Sequence, residues 1–280
     1  MRIPTFLGIG AQKCASTWIY DILRDHPQVF VSDRKEIDFF SYGYDRGFQW
    51  YCNHFCTSHT TDAVGEISPS YFHEFSVPER VKRHIPDPKI IVSLRDPVER
   101  AISNHQHEVR VGHFIGKDLS FEAGLENNPM YLEQGLYAKH LARWFHYFSA
   151  DKILVVFLEE IKENRVDVAR RIYNFLNVNT DFNSEAFDRQ SNPGHLNRYY
   201  NLERLRNRLH LTTKQLGLDS IWSTLSRLGL HAAYSRINKI PTDRIIPPIS
   251  ADTRVKLKEY FSSDVAMLAE LLNREIPYSQ

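Results

Sequence analysis

Two groups of residues in this sequence have the types and spacing to bind an anion. The first is GAQKCAST, from Gly10 to Thr17, where Lys13 brings a full positive charge and Ser16 and Thr17 bring two hydroxyl donors at the start of a helical pattern. A loop placed before a helix N-terminus suits an anion, because the first-turn amides carry partial positive charge and lack intrahelical partners. The spacing departs from the nucleotide-triphosphate loop G-x-x-x-x-G-K-[ST]: the glycine before Lys13 is missing, and the hydroxyls come three residues after it. Cys14 stands where that loop has its magnesium-ligating hydroxyl, and a thiol is a poor magnesium ligand. The loop reads as built for an anion, with no obvious provision for a metal. Taken alone, it equally fits an ordinary strand-loop-helix turn with a surface lysine. Cys14 reads as a small residue admitting close backbone approach rather than as a nucleophile.

The second group is LRDPVERAIS. Arg95 falls at the end of an apolar run, and Ser103 follows eight residues later, about two helical turns into the next segment. A guanidinium and a hydroxyl on one strand-to-helix unit suit a second phosphate. The alternative is an arginine in a surface ion pair with Asp96 or Glu99. Two anion sites on βα units of one sheet favour a ligand with phosphates at both ends.

The elements that must position these residues alternate along the chain. Apolar runs at Thr5–Gly10, Gln28–Val31, Val64–Tyr71 with its turn at Pro69, Lys89–Leu94 and KILVVFLEEI (Lys152–Ile161) predict strands. Helical spacing is expected over Thr17–Arg24, over Trp50–Phe55 with its aromatics facing the core, from Pro78, from Pro97, over Leu136–Phe148 and over Val166–Val178. This alternation implies an α/β fold, a parallel sheet flanked by helices with ligands at the carboxyl ends of the strands. Lys35 and Glu36 follow the second strand, on a loop at that same end. Beyond residue 180 the pattern changes to a polar loop, FDRQSNPGHLNRYY, and then mostly amphipathic helix broken at IPTDRIIPPIS. With no internal repeat and no long linker, a single domain over 1–280 is expected, with its core over about 5–180 and a helical C-terminal extension over about 199–280.

Composition narrows the partners. The 280 residues are 42% hydrophobic, ample for a core, and a formal charge of +1 gives no global field for nucleic acid or an anionic membrane. Three cysteines make no disulfide framework, and no apolar run approaches the ~20 residues of a membrane span. A cytoplasmic location is expected, with no signal peptide before the first strand.

At this point QKCASTWIYDILRDHPQVF, KEIDFFS, WYCNHF, GEISPSYF, RDPVERAISNHQHEVRVGHF, LSFEAGL, GLYAKHLARWFHYF and KILVVFLEEI together carry a resemblance. In order and spacing they are similar to the sulfotransferases that use 3′-phosphoadenosine 5′-phosphosulfate (PAPS), most of all the heparan sulfate type and its bacterial relatives. The resemblance runs from about Thr5 to Val178, with a weaker match at YFSSDVAMLAELL. It implies a P-loop-like parallel sheet and a metal-free reaction. It implies that Lys13, Cys14, Ala15, Ser16, Thr17 and Trp18 form the 5′-phosphosulfate loop and that Arg95 and Ser103 bind the 3′-phosphate. Sulfuryl transfer is then an in-line displacement on sulfur that releases adenosine 3′,5′-bisphosphate (PAP). Lys13 stabilises the charge on the leaving oxygen, assisted by the loop amides, Ser16 and Thr17.

The acceptor needs a base. By resemblance Glu36 in KEIDFFS is that base, against the plain alternative of a surface Lys35–Glu36 pair; Glu66 in GEISPSY is its competitor or a structural anchor of the loop. The family's lysine after that second glutamate is replaced here by Ile67, which argues against a polyanionic glycan acceptor. His105, His107 and His113 follow the 3′-phosphate segment and stand as cleft or structural residues, and CNHFCTSH has a spacing better explained by a packed helix than by zinc. Arg189 and Arg198 are basic residues in the polar loop. The expected function is sulfuryl transfer from PAPS to a hydroxyl of a carbohydrate, glycolipid or other small molecule, in a bacterial style of enzyme. The alternatives are a P-loop kinase using ATP and a non-catalytic nucleotide-binding protein.

Overall fold

In the computed structural model the described residues are 2–56, 61–114, 118–187, 195–197, 239–241 and 245–278. Their contacts divide into two compact units: Met1–Ala101 with Pro129–Ser191 and Arg254–Gln280, and Ile102–Asn128 with Asn192–Thr253.

The first unit is built on a five-stranded parallel sheet in the order β2-β3-β1-β4-β5. The strands are β1 (Phe6–Gly10), β2 (Val29–Val31), β3 (Ala63–Ile67), β4 (Lys89–Leu94) and β5 (Ile153–Phe157). The register aligns Phe6 with Gly65 of β3 and with Lys89 of β4, which brings the strands' carboxyl ends to one edge. Each strand buries both faces, as helix-covered parallel strands do. One core takes Leu7, Ile9, Val64, Ile90, Val92, Leu94 and Val155, and the other takes Phe6, Ile67, Ile91 and Val156, so the period of two sorts alternate residues onto opposite layers.

The helices of this unit are α1 (Ser16–Asp25), α2 (Phe48–Cys52), α3 (Val77–His84), the start of α4 (Pro97–Val111), α6 (Met130–Glu133), α7 (Tyr137–Tyr147), α8 (Leu158–Glu163), α9 (Arg165–Leu176) and most of α10 (Ala251–Leu272). Helices α1 and α9 supply Ile19, Ile22, Leu23, Ile172 and Leu176 to the second core, while Tyr51, Val81, Leu141, Trp144 and Leu268 pack into the first. Asp264 is buried on α10, yet its carboxylate accepts from the Ala138 and Lys139 amides at 2.9 and 3.1 Å. It caps the first turn of α7 from another helix and so satisfies both partners. Gly65 is required by close approach, since a β-carbon there would lie 2.3 Å from the Phe6 carbonyl oxygen of β1. Gly10 is required by its φ of +119° as the chain leaves β1.

One segment departs from the sequence expectation. KILVVFLEEI is a strand only through Phe157, and its LEEI half opens α8. Glu160 provides the reason, because its Oε2 accepts the Phe157 amide at 2.8 Å and turns the chain into a helix. The expected WYCNHF helix is α2 followed by a single 3₁₀ turn, Asn53–Phe55. Tyr51 and Phe55 are buried, whereas Trp50 is half-buried beneath the Arg46 guanidinium, 4.7 Å from its ring.

The second unit contains the rest of α4, α5 (Phe121–Asn127) and an antiparallel pair, β6 (His195–Asn197) with β7 (Lys239–Pro241). Ser120 caps α5 by accepting the Ala123 amide at 3.2 Å. Val109 and Ile246 form a small core of their own. No described helix is long and apolar enough to cross a membrane.

Candidate active site

The loop from Ala11 to Ala15 joins β1 to α1 at the carboxyl edge of the sheet, and the Ala11 amide is tied to Ser93 O of β4 at 2.7 Å. Lys13 and Ala15 both take the left-handed conformation, with φ of 66° and 69°. Two such non-glycine residues in one loop are unusual and mark a backbone shaped for something other than packing. Ala15 is the N-cap of α1 and has no side chain that reaches its amides, so the first turn, Ser16 to Trp18, is left without a side-chain cap. Ser16 is half-buried and Thr17 exposed there, whereas Trp18 is buried with the second core.

Cys14 points inward. It is fully buried, its Sγ donates to Gln12 O at 3.4 Å and lies 3.8 Å from the Tyr137 hydroxyl. Burial pushes its thiol up to about 12, which keeps it protonated and unsuited both to nucleophilic attack and to magnesium. Beneath it lies Arg100, a residue that sequence reasoning missed. Arg100 is 0% exposed, donates to Gln134 Oε1 at 3.0 Å and to Tyr131 O, and has no carboxylate within salt-bridge distance among the described residues. Burial disfavours its charge, and that charge is felt at the Cys14 thiol, where it opposes the effect of burial. Nothing in RDPVER marks Arg100 out, because the groups that enclose it, Gln134 and Tyr131, lie far along the chain.

Arg95 leaves the end of β4 with its side chain mostly buried, 3.6 Å from Glu99. Glu99 also meets Arg254 of α10, so one carboxylate serves two guanidinium groups. Asp96 is not the ion-pair partner. Its Oδ1 caps α4 by accepting the Val98 and Glu99 amides at 2.8 and 3.0 Å, while its own amide donates to Glu159 Oε1 at 3.2 Å. Arg95 Nε, Arg100 Nε and Trp18 Nε1 are all buried without a hydrogen-bond partner among the described residues. Orphaned buried donors are costly and rare. Ser103 is half-buried on α4, in the second unit.

The loop after β2 carries Glu36. Its amide donates to Ile67 O at 3.1 Å, its carboxylate is half-exposed, and it pairs with Lys35. The exit of β3 also holds the end of β1 from which the Lys13 loop leaves, because Ser68 N donates to Gly8 O at 2.8 Å and Phe72 N to Ile9 O at 2.9 Å. Glu36 and Lys13 thus sit on loops anchored to one strand end. Glu66 faces the other way, 1% exposed, and accepts from Tyr51 and Ser68 at 2.6 Å each and from Tyr71 at 2.8 Å. Burial, opposed by those hydroxyls, raises its carboxyl to about 7.

The remaining candidates are held by other contacts. His105 is buried, with Nε2 at 3.0 Å from Leu119 O; His107 meets Arg110 at 2.7 Å; His113 is exposed beside Glu108 at 3.0 Å. His54 Nδ1 lies 3.1 Å from Trp50 O, and His59, Arg189 and Arg198 lie outside the described residues.

Comparison with known proteins decides the family. The family model for the sulfotransferase domain matches residues 4–214. The chain belongs to this family. Over 98% of its length this sulfotransferase is 27% identical to the bifunctional heparan sulfate N-deacetylase/N-sulfotransferase 4 of Mus musculus and 31% identical to the corresponding protein 2 of Bos taurus. It spans only 30% of either relative. Heparan sulfate glucosamine 3-O-sulfotransferase 6 of Mus musculus is 32% identical over 63% of this chain and 53% of that protein. Among solved structures, a sulfotransferase from Alicyclobacillus acidocaldarius superposes with a TM-score of 0.72 at 24% identity, covering 99% of this chain and 98% of that one. That likeness shows the fold, so the P-loop-like parallel sheet expected from the sequence is the one present.

Proposed function

We propose that this sulfotransferase moves a sulfuryl group from PAPS to a hydroxyl of a carbohydrate, glycolipid or other small-molecule acceptor. The reading rests on one arrangement: the uncapped first turn of α1 behind Lys13, anchored to the same strand end as the Glu36 loop. The buried donors without partners on Arg95 and Trp18 are what an anionic nucleotide would satisfy, so the residues present fit the donor. PAPS supplies the activated sulfuryl group and leaves as PAP.

The chain's own residues divide the work. Lys13, the α1 amides, Ser16 and Thr17 hold the 5′-phosphosulfate and counter the charge that grows on its bridging oxygen. Cys14 and Ala15 let the backbone approach. Arg95 takes the 3′-phosphate. Glu36, half-exposed, accepts the proton of the attacking hydroxyl, a role closed to buried Glu66. No metal enters, since the thiol at position 14 is no ligand for magnesium. Ile67 lies in the core and offers no positive charge to a sulfated chain, which supports an acceptor of low charge.

Calorimetry with PAP, ADP and ATP, each with and without magnesium, tests the reading. Magnesium-independent binding of PAP in preference to both other nucleotides is expected. A preference for ATP with magnesium would overturn it in favour of a kinase.

A further inference from the structure

The Glu36 loop is held in a conformation its own residues disfavour. Glu36 and Asp38, two residues apart, have φ of 60° and 55°, the left-handed region that non-glycine residues rarely occupy. Such a shape persists only where the surroundings over-determine it. Here the surroundings are the exit of β3. The Asp38 amide donates to Ser68 Oγ at 3.1 Å, and the Phe40 amide donates to the Tyr71 hydroxyl oxygen at 3.3 Å. Ser70 donates to Asp38 Oδ1 at 2.6 Å and lies 2.8 Å from Ser41 Oγ.

The two hydroxyls that receive loop amides are the same two that donate to Glu66. Ser68 gives its hydrogen to Oε2 at 2.6 Å, and Tyr71 gives its hydrogen to Oε1 at 2.8 Å, with Tyr51 joining from α2 at 2.6 Å. A hydroxyl has one hydrogen and two lone pairs, whereas an ionised carboxylate only accepts. An ionised Glu66 therefore draws both hydrogens towards itself and leaves both oxygens turned outward as acceptors.

We propose that Glu66 is the positioning residue of the Glu36 loop: by fixing the direction of the Ser68 and Tyr71 hydroxyls it makes them acceptors for the Asp38 and Phe40 amides and so holds Glu36 in place. The proposal rests on the assignment of Glu36 as base, but the loop itself is tested without it. The groups facing Glu66 are Tyr51 from α2, Ser68 and Tyr71 from the exit of β3, and Asp38 from the loop. With the carboxyl raised to about 7, a protonated Glu66 offers a hydrogen of its own below neutrality and competes with one of these hydroxyls.

The test is residue-resolved amide hydrogen exchange on the full chain, with PAP affinity measured alongside. In Glu66→Gln the side-chain NH₂ offers hydrogens where a carboxylate oxygen accepted, and the protection of the Asp38 and Phe40 amides is expected to fall at least tenfold, with PAP affinity held within about twofold. Ser68→Ala is expected to release Asp38 alone and Tyr71→Phe to release Phe40 alone, which keeps the test open if Glu66→Gln folds poorly. Unchanged protection at both amides in Glu66→Gln, or release of the whole sheet rather than the loop, would overturn the proposal. Activity is read separately with PAPS and a neutral oligosaccharide as the acceptor probe. A loss in kcat with KM little changed is expected for Glu66→Gln. Full activity in Glu36→Gln would sink the base assignment while leaving the loop result standing.

Discussion

Ile67 of β3 fills the space over Gly8 of β1, its Cδ1 lying 2.2 Å from where a β-carbon at position 8 would stand. The side chain that replaces the family's lysine is therefore a core residue, 2% exposed among Phe6, Trp18 and Ile19. Ile67→Lys is expected to destabilise the fold and not to recreate a basic acceptor pocket. An unpaired charge at that depth costs at least about 3 kcal/mol. A urea midpoint equal to the parent's would show instead that the lysine escapes to the site.

On the proposed mechanism, Glu36→Gln removes the acceptor of the proton and leaves the nucleotide site in place. PAP affinity is expected to stay unchanged by calorimetry, while transfer from PAPS to the acceptor falls by 10² or more, the usual scale of a general base. Retained turnover would move the base elsewhere.

Arg100→Met keeps the length of the side chain and removes a buried charge that no carboxylate among the described residues balances. Stability without nucleotide is expected to change little, because the lost hydrogen bonds to Gln134 and Tyr131 are offset by relief of a desolvated cation. PAP affinity is expected to fall about tenfold, or ~1.4 kcal/mol. Thermal melts with and without PAP separate the two effects. Equal loss of both would mark Arg100 as a packing residue.

The buried carboxyl of Glu66 also makes stability depend on pH. Its folded value of about 7 exceeds the model-peptide value of 4.5, so between those pH values the folded chain binds the extra proton. Its contribution is therefore full below pH 4.5 and is lost as pH rises to about 7, a swing of roughly 3 kcal/mol. His73 and His140 act oppositely. Burial lowers both to about 4, so the unfolded chain binds more protons between pH 4 and 6.5, and stability falls as the pH drops through that window. Urea melts of the parent and Glu66→Gln across pH 5 to 8 separate the contributions: the difference between the two should change by about 3 kcal/mol in favour of the variant as pH rises. A constant difference would contradict the raised carboxyl.

By itself the sequence determined the architecture and the place of the Lys13 loop within it. Apolar runs of strand length alternating with 3.6-residue periodicity are local signals, and they placed a parallel sheet with Lys13, Glu36 and Arg95 at its carboxyl edge. Cys14 in place of a magnesium ligand was equally local. Tertiary structure decided what depends on partners far along the chain. LEEI was drawn into a helix because Glu160 caps Phe157, a competition that hydrophobicity does not register. Arg100 looked like any surface arginine in RDPVER until Gln134 and Tyr131 enclosed it. Glu66 and Ile67 are neighbours in sequence, yet the two-residue period of β3 sends one to the hydroxyls of Tyr51 and Tyr71 and the other into the opposite core beside Gly8. Which face a residue takes, and which distant groups await it there, is set by sheet register and packing rather than by the residue's own type.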